Sequence, residues 1–447
     1  MPAYGYSEAT TAAFDSLASL GVLFKHCLAP QGWTLTSHMS MFTGLAPGVH
    51  RVGKNYALAE AVPTLPEILS EHNFITGGFP HSNEWLSEAY GFDRGFDVYR
   101  FFQYEVVSDV RLPVAKWIID WVSEHVPLSS EDHKAAPFFL FLHFMDVHSR
   151  PSNHPFPYWT PSVMHRQEFG LPADPPVPHL QPASSSEGDF VGLDRWDLER
   201  YDADLLRRGY DACIKTWDEF RLRKILAGLR DSGYLNDTLI IVTADHGEEI
   251  GEHGGYYHDS PYGEVREVPL LILWPDRLPG GTVVEQPVSL MDLLPTILDL
   301  AGIPEPELCQ GVSLRPLLED SAAELPTRDF LVDGVWQFYK LEPAALVAPA
   351  EKSWWSLVVL PDTSGTTDTL LPARVDSVLG LFDLARDPDE MKDLQKEKPH
   401  LVSMLRRRLE DKMRREAELA LMLAAGAQGE EIVLTPEAQQ KLKALGY

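Results

Sequence analysis

Three continuous apolar runs dominate the pattern of this chain: Pro137 to His143, Thr238 to Thr243 and Val268 to Trp274. A run without polar alternation predicts a strand covered on both faces, as in a layered α/β sheet. Asn73 to Thr76 is a weaker fourth candidate. Between the strands the period lengthens. In Tyr210 to Leu229 the apolar residues Tyr210, Cys213, Ile214, Trp217, Phe220, Ile225 and Leu229 fall at near-helical spacing, and "DSGYLND" then breaks the helix ahead of the next strand. Helix, short turn and buried strand in that order predict a layered α/β fold.

The pattern changes twice. Residues 149–200 are proline-dense ("RPSNHPFPYWTPS", "PADPPVPHLQP") and are expected to form a lid or insert. Beyond Glu319 the apolar runs shorten (Trp354 to Leu360, Val378 to Phe382) and a charged helix follows from about Pro399 to Leu423. The expected division is a catalytic domain over 1–325 and a smaller α+β subdomain over 326–447, with no internal repeat.

Composition narrows the partners. The net charge of −28 carries no Lys/Arg-rich stripe to offset it, so nucleic acid is not expected. A sulfated or phosphorylated small molecule could still bind where metal or histidine supplies local positive charge. The cysteines Cys27, Cys213 and Cys309 lack CxxC spacing, which suggests neither a disulfide framework nor a thiolate zinc site. No apolar run reaches the roughly 18 residues of a membrane span, and no charged-then-apolar leader opens the chain. As written the chain is expected in the cytoplasm.

Polar residues at strand ends carry the candidate chemistry. Asp245-His246 closes the 238–243 strand, at the carboxyl end where α/β sheets gather ligands. A carboxylate beside an imidazole suits a divalent ion, and Gly247 would let the chain turn sharply away; an isolated DHG is also what a solvated turn shows. His143, Asp146 and His148 stand at and beyond another strand end, either to hold an oxyanion or to close a turn. In "GWTLTSHMSMFTGLAPGVH" (Gly32 to His50), a threonine beside a metal could become a nucleophile, or could simply cap a helix.

In order, "TLTSHMSMFTG" (Thr34 to Gly44), "GFDRGFDVY", "FFLFLHFMDVHSRP", "YLNDTLIIVTADHGEEIGEHG", "VPLLILWP", "SLMDLLPTILDLAGI", "LFDLARDPDEMKDL" and the tail "PEAQQKLKALGY" resemble the sulfatase family of the alkaline phosphatase superfamily, over nearly the whole chain. The resemblance implies an alkaline-phosphatase-like α/β fold with a large, mostly parallel sheet between helices, in which Asp245 and His246 are metal ligands and Thr34 stands at the nucleophile position, within reach of the metal. His148 then contacts the transferred sulfuryl or phosphoryl oxygens, and His258 stabilises the leaving group, with His253 as a second candidate. His38 takes the place of the arginine in the usual Cys-x-Pro-x-Arg signature. One divalent ion (Ca, Mn, Zn or Mg) is expected, with room for a second.

Two departures stand out. Threonine cannot be converted to formylglycine, so Thr34 points to a phosphothreonine-type intermediate, as in the superfamily's phosphodiesterases and phosphoryl-linked transferases. Family members also open with a strand ending in aspartate, which here would precede Met1; a misassigned start codon is the expected cause, and an export signal could be encoded with that segment. The expectation is therefore a metal-dependent hydrolase of sulfate or phosphate esters, free or as a homo-oligomer. A non-catalytic binding member of the same fold and a phosphoryl-group transferase are the alternatives.

Overall fold

The computed structural model describes residues 1–426 except 82, 103–113, 130–134, 149–160, 172–202, 259, 321, 334–342 and 363–373. Most of the expected 149–200 lid and the tail motif from Pro436 lie outside the described residues. Within the lid span, Val163–Glu168 forms a short helix capped by Ser162, whose side chain accepts from the His165 N–H.

Three expected strands are present: β4 (Phe138–His143), β5 (Ile240–Thr243) and β8 (Glu267–Leu273). The weak fourth candidate shifts C-terminally to become β2 (Ile75–Pro80). A strand that the apolar pattern does not announce sits in the middle of the largest sheet: β1 (Val22–Leu28). Lys25 and His26 interrupt its apolar run, and its pairing with β8 slips between Phe24 and Cys27. A bulge of that kind re-aims side chains and disturbs the period of two by which a strand is recognised.

β1 runs antiparallel to β8, which runs antiparallel to β5; on its other side β1 pairs in parallel with β9 (Thr282–Val284) and β10 (Val288–Ser289). A separate parallel sheet has the order β3 (Val98–Tyr99), β2, β4. Parallel pairing thus holds on one side of β1 and throughout the smaller sheet, while β8 makes the larger one mixed. A short ribbon of β6 (Glu249–Ile250) and β7 (Tyr256–Tyr257) follows β5.

The Thr34–Thr43 helix is buried along its whole length. Its Leu35, Met39 and Phe42 join Phe24, Leu270, Ile272 and Leu290 in one apolar core. Each such fully buried side chain contributes roughly 1.5–3 kcal/mol relative to exposure, so the helix is fixed by the sheet rather than by its own propensity. Gly44, at φ 67°, ends it in a left-handed conformation that suits glycine.

A second region follows. β11 (Phe330–Val332), β12 (Ala344–Ala350), β13 (Ser353–Pro361) and β14 (Val375–Asp383) form an antiparallel sheet in sequence order. The Pro399–Gly426 helix lays Leu401, Leu405, Leu409 and Met413 on it at a spacing of four residues. Further along, Leu419 and Leu423 pack against the core of the first region. The boundary we propose near residue 325 falls ahead of β11. Among the described residues no helix is long and apolar enough to cross a membrane.

Candidate active site

Thr34 is the first residue of its helix and is fully buried. Trp33, extended at φ −133° and ψ 129°, precedes it and packs edge-on against Trp85 with ring centroids 4.9 Å apart. The hydroxyl therefore lies among the unpaired N–H groups at a helix start, where negative charge is favoured.

Asp245 and His246 follow β5 in the turn that meets this helix. The Ser37 hydroxyl donates to the Asp245 carbonyl at 2.6 Å and ties turn to helix. His246 donates from Nδ1 to the Gly247 carbonyl at 2.9 Å, which leaves Nε2 as the acceptor; Nε2 is 3.3 Å from Thr34 Oγ1 and 3.4 Å from Asp245 Oδ2. Gly247 serves a different purpose from the sharp turn expected of it. A β-carbon there would run into the Glu264 carbonyl, so glycine permits a close backbone approach, and its N–H donates to the Val265 carbonyl at 2.7 Å.

His38 lies one helical turn beyond Thr34. Its Nδ1 donates to the Thr34 carbonyl at 2.8 Å and lies 3.5 Å from Asp245 Oδ2. His143, the last residue of β4, comes edge-on to His38 with centroids 5.1 Å apart. Burial pushes the Asp245 carboxyl up, yet the facing imidazoles of His246, His38, His143 and His148 together outweigh it and hold the group below the usual carboxylate range. Burial, reinforced by His38, drives His143 well below the ordinary histidine value.

His148 and His258 complete the cluster. His148 sits in the turn after β4, where its N–H donates to the Met145 carbonyl; the intervening Asp146 points away to a buried ion pair with Arg221 at 3.1 Å. His258 donates from Nδ1 to the Gly32 carbonyl, and burial, then His246 and His148, lower its affinity for a proton. The His246 and His258 rings are 4.3 Å apart, and His148 lies 5.2 Å from His258 and 5.9 Å from His246.

Two groups of converging donor atoms result: His148, His246 and His258, and His38, His143 and Asp245. The structure thus brings together Thr34, His38, His148, Asp245, His246 and His258. His253 belongs to neither group: its ring stacks on Tyr262 at 3.7 Å, and Nε2 lies 3.5 Å from Glu264. His143, a candidate by its place at a strand end to which the resemblance gives no role, joins the group of His38 and Asp245.

The sulfatase sequence profile matches residues 1–303. The chain belongs to the sulfatase family. Arylsulfatase K of Xenopus laevis is 25% identical over 418 residues, covering 87% of this chain and 75% of that protein. The bovine (Bos taurus) arylsulfatase K is 27% identical over 65% of this chain, and this chain spans only about half of it, 53%. Among solved structures, one determined with its substrate D-glucosamine-2-N,6-O-disulfate has a TM-score of 0.66 at 17% identity, covering 94% of this chain and 95% of that one. The phosphonate monoester hydrolase of Agrobacterium radiobacter has a TM-score of 0.63 at 19% identity, covering 93% of each chain. These sulfatase-fold neighbours establish the alkaline-phosphatase-like α/β architecture expected from sequence.

Sulfatases generally take a divalent ion, typically calcium. Calcium requires six to eight oxygen ligands. The two groups of this sulfatase-family chain offer five imidazoles and one carboxylate among the described residues.

Proposed function

We propose that this chain hydrolyses sulfate or phosphate esters of small molecules through a covalent intermediate on Thr34, with a divalent ion held by Asp245 and His246 within reach of the Thr34 hydroxyl. One observation carries the reading: a buried hydroxyl at a helix start lies 3.3 Å from His246 Nε2, which itself lies 3.4 Å from Asp245 Oδ2. When bound, the ion would polarise nonbridging ester oxygens and lower the pKa of the hydroxyl.

The protein's own groups do the rest. The helix start favours the developing alkoxide of Thr34, whose oxygen forms the new bond to sulfur or phosphorus as the bond to the ester oxygen breaks; that oxygen departs with its electron pair and takes up a proton, in balance with the one that Thr34 gives up. His38 holds the first helical turn against Asp245. His148 and His258 form the imidazole face beside His246, where transferred oxygens and leaving group are stabilised. Water then attacks the Thr34 ester and restores the hydroxyl.

Phosphoesters suit a threonine nucleophile, and the arylsulfatase relatives favour sulfate; both are therefore assayed. The chain is incubated with ³⁵S-labelled aryl sulfate or ³²P-labelled aryl phosphate, quenched in acid and digested. Label on the Thr34 peptide followed by its release into water supports hydrolysis. Release into an added sugar alcohol instead identifies a transferase. Full metal occupancy with neither label nor turnover would leave the binding-protein alternative.

A further inference from the structure

We infer that Arg221 is a positioning residue for the reaction: through its buried ion pair with Asp146 it fixes the turn after β4 that presents His148. The inference rests on the ester-hydrolase reading above for the task of His148, and it adds a residue from a different element.

The turn needs an anchor. The ladder between β2 and β4 ends at the pair of Pro80 with His143, ahead of the turn that carries His148. Beyond it the His148 N–H donates to the Met145 carbonyl at 3.2 Å, a bond closed within the turn itself. Asp146 ties the turn to another part of the chain: its Oδ1 accepts from Arg221 Nε at 3.1 Å, and both side chains are 1% exposed. Because Asp146 and His148 share one tight turn, a pair that holds the carboxylate also holds the backbone of the imidazole.

Arg221 is offered by an unusual piece of backbone. It lies in a π-helical turn, Asp218–Leu222, set between the helices Ala203–Trp217 and Arg223–Asp231. Single π turns inside α-helices are rare and gather at functional sites. This one buries two charged side chains, Asp218 and Arg221, each 1% exposed. Asp218 accepts from the N–H groups of Ala13 and Phe14 at 2.8 and 2.9 Å, which fastens the π turn to the helix Ala12–Ala18. Arg221 therefore meets Asp146 from a backbone that is itself held.

Stability alone does not account for the pair. Burying two ions removes the hydration of both, and apolar side chains of similar volume are often as good or better for stability. What the pair supplies is direction, since a planar guanidinium holds a carboxylate in a defined orientation. Burial pushes the Asp146 carboxyl up, and Arg221 opposes that rise. Without the guanidinium the carboxyl is buried without that counter-charge, and the β4 turn loses its tie to the π turn.

The test is a double-mutant cycle on the full chain, with turnover of the aryl ester compared at equal concentrations of folded protein. Arg221→Met should lower kcat about 100-fold, the scale of a roughly 1 Å misplacement remote from the chemistry, with KM little changed. Arg221→Lys, which keeps a cation near Asp146, should recover part of the loss. In a His148→Ala background Arg221→Met should cost less than about 2-fold, because the group it places is gone. Should Arg221→Met not fold, Asp146→Asn keeps an oxygen acceptor for Arg221 and removes only the charge, and the same dependence on His148 is expected. An equal loss in both backgrounds, or full turnover per folded molecule in Arg221→Met, overturns the inference. Amide exchange followed by mass spectrometry separates it from the ester reading: the peptide containing the His148 N–H should exchange faster in Arg221→Met than in the wild type, and the β5 peptide should not. Wild-type protein that takes no label on Thr34 sinks the ester reading alone. Unchanged exchange at the β4 turn, or faster exchange throughout the chain, sinks this inference whatever the turnover.

Discussion

The two sheet regions use their strands differently. In the first, β4 and β5 are outer strands of their sheets among the described residues, yet their ends deliver His143 and Asp245 to one place. In the second, β12 and β13 pair over seven positions and the Pro399–Gly426 helix closes the apolar face. Long register gives stability, whereas strand ends give placement, and this molecule separates the two. Among the contacts between the regions is a buried ion pair near the site. Glu390, just after β14, accepts from the Gly263 N–H at 2.8 Å and pairs with Arg266, which also donates to the Pro261 carbonyl at 2.8 Å. Both side chains are 0% exposed, and the loop they hold leads from His258 into β8.

Four substitutions probe that separation. The largest effect is expected at the placed end: Thr34→Ala should lower turnover of the aryl ester by roughly 10⁴–10⁶-fold, the scale of nucleophile removal in covalent hydrolases. Urea unfolding should move by no more than about 1–3 kcal/mol; a larger loss would show that the hydroxyl is structural. Next, Glu390→Ala leaves Arg266 buried without its partner and should cost about 3–5 kcal/mol in the same unfolding assay, with turnover falling although the substitution lies outside the cluster. Unchanged turnover in folded Glu390→Ala would disconnect the second region from the site.

Gly32→Ala should cost about 1–3 kcal/mol through overpacking and lower turnover of the aryl ester by displacing His258. Loss of stability with normal turnover would mean that the Gly32 carbonyl does not set the ring. The smallest effect is a pH slope. Asp333, in an isolated bridge beside Gln31, is pushed up to about 8 by burial and then by Glu416 on the long helix, against the pull of Lys412. Its proton is bound more tightly in the folded state, so its stabilising contribution is full below about pH 3.8 and lost as pH rises through about 8. Asp333→Asn should therefore remove a decline in melting temperature across that window; an identical decline in both proteins would assign the slope elsewhere.

Legibility in the sequence follows the same division. β4, β5 and β8 were readable because strands covered on both faces need no polar positions. β1 was not, since Lys25, His26 and the bulge break its period. β12 was hidden in an alanine-rich run containing Pro349, and only its two neighbours make it a strand. Asp245, His246 and His148 were readable as polar groups at strand ends, and Thr34 and His258 through the family resemblance. His143 was named with them at the same strand end, but the resemblance gave it no role, because its meaning depends on His38, which arrives on a helix formed about a hundred residues earlier. His253 shows the converse: it shares a glycine-rich loop with the site, yet Tyr262 offers its ring a flat stacking surface at 3.7 Å. Spacing along the chain cannot reveal that competition.

The Arg266–Glu390 pair also sets an order of events during synthesis. Its members are separated by 124 residues. At about 5–20 residues per second, roughly 6–25 s pass between the appearance of Arg266 and that of Glu390 on the ribosome. For that interval the His258 loop lacks its buried anchor, so a nascent chain arrested before Glu390 would carry most of the site's side chains without the clamp that fixes them.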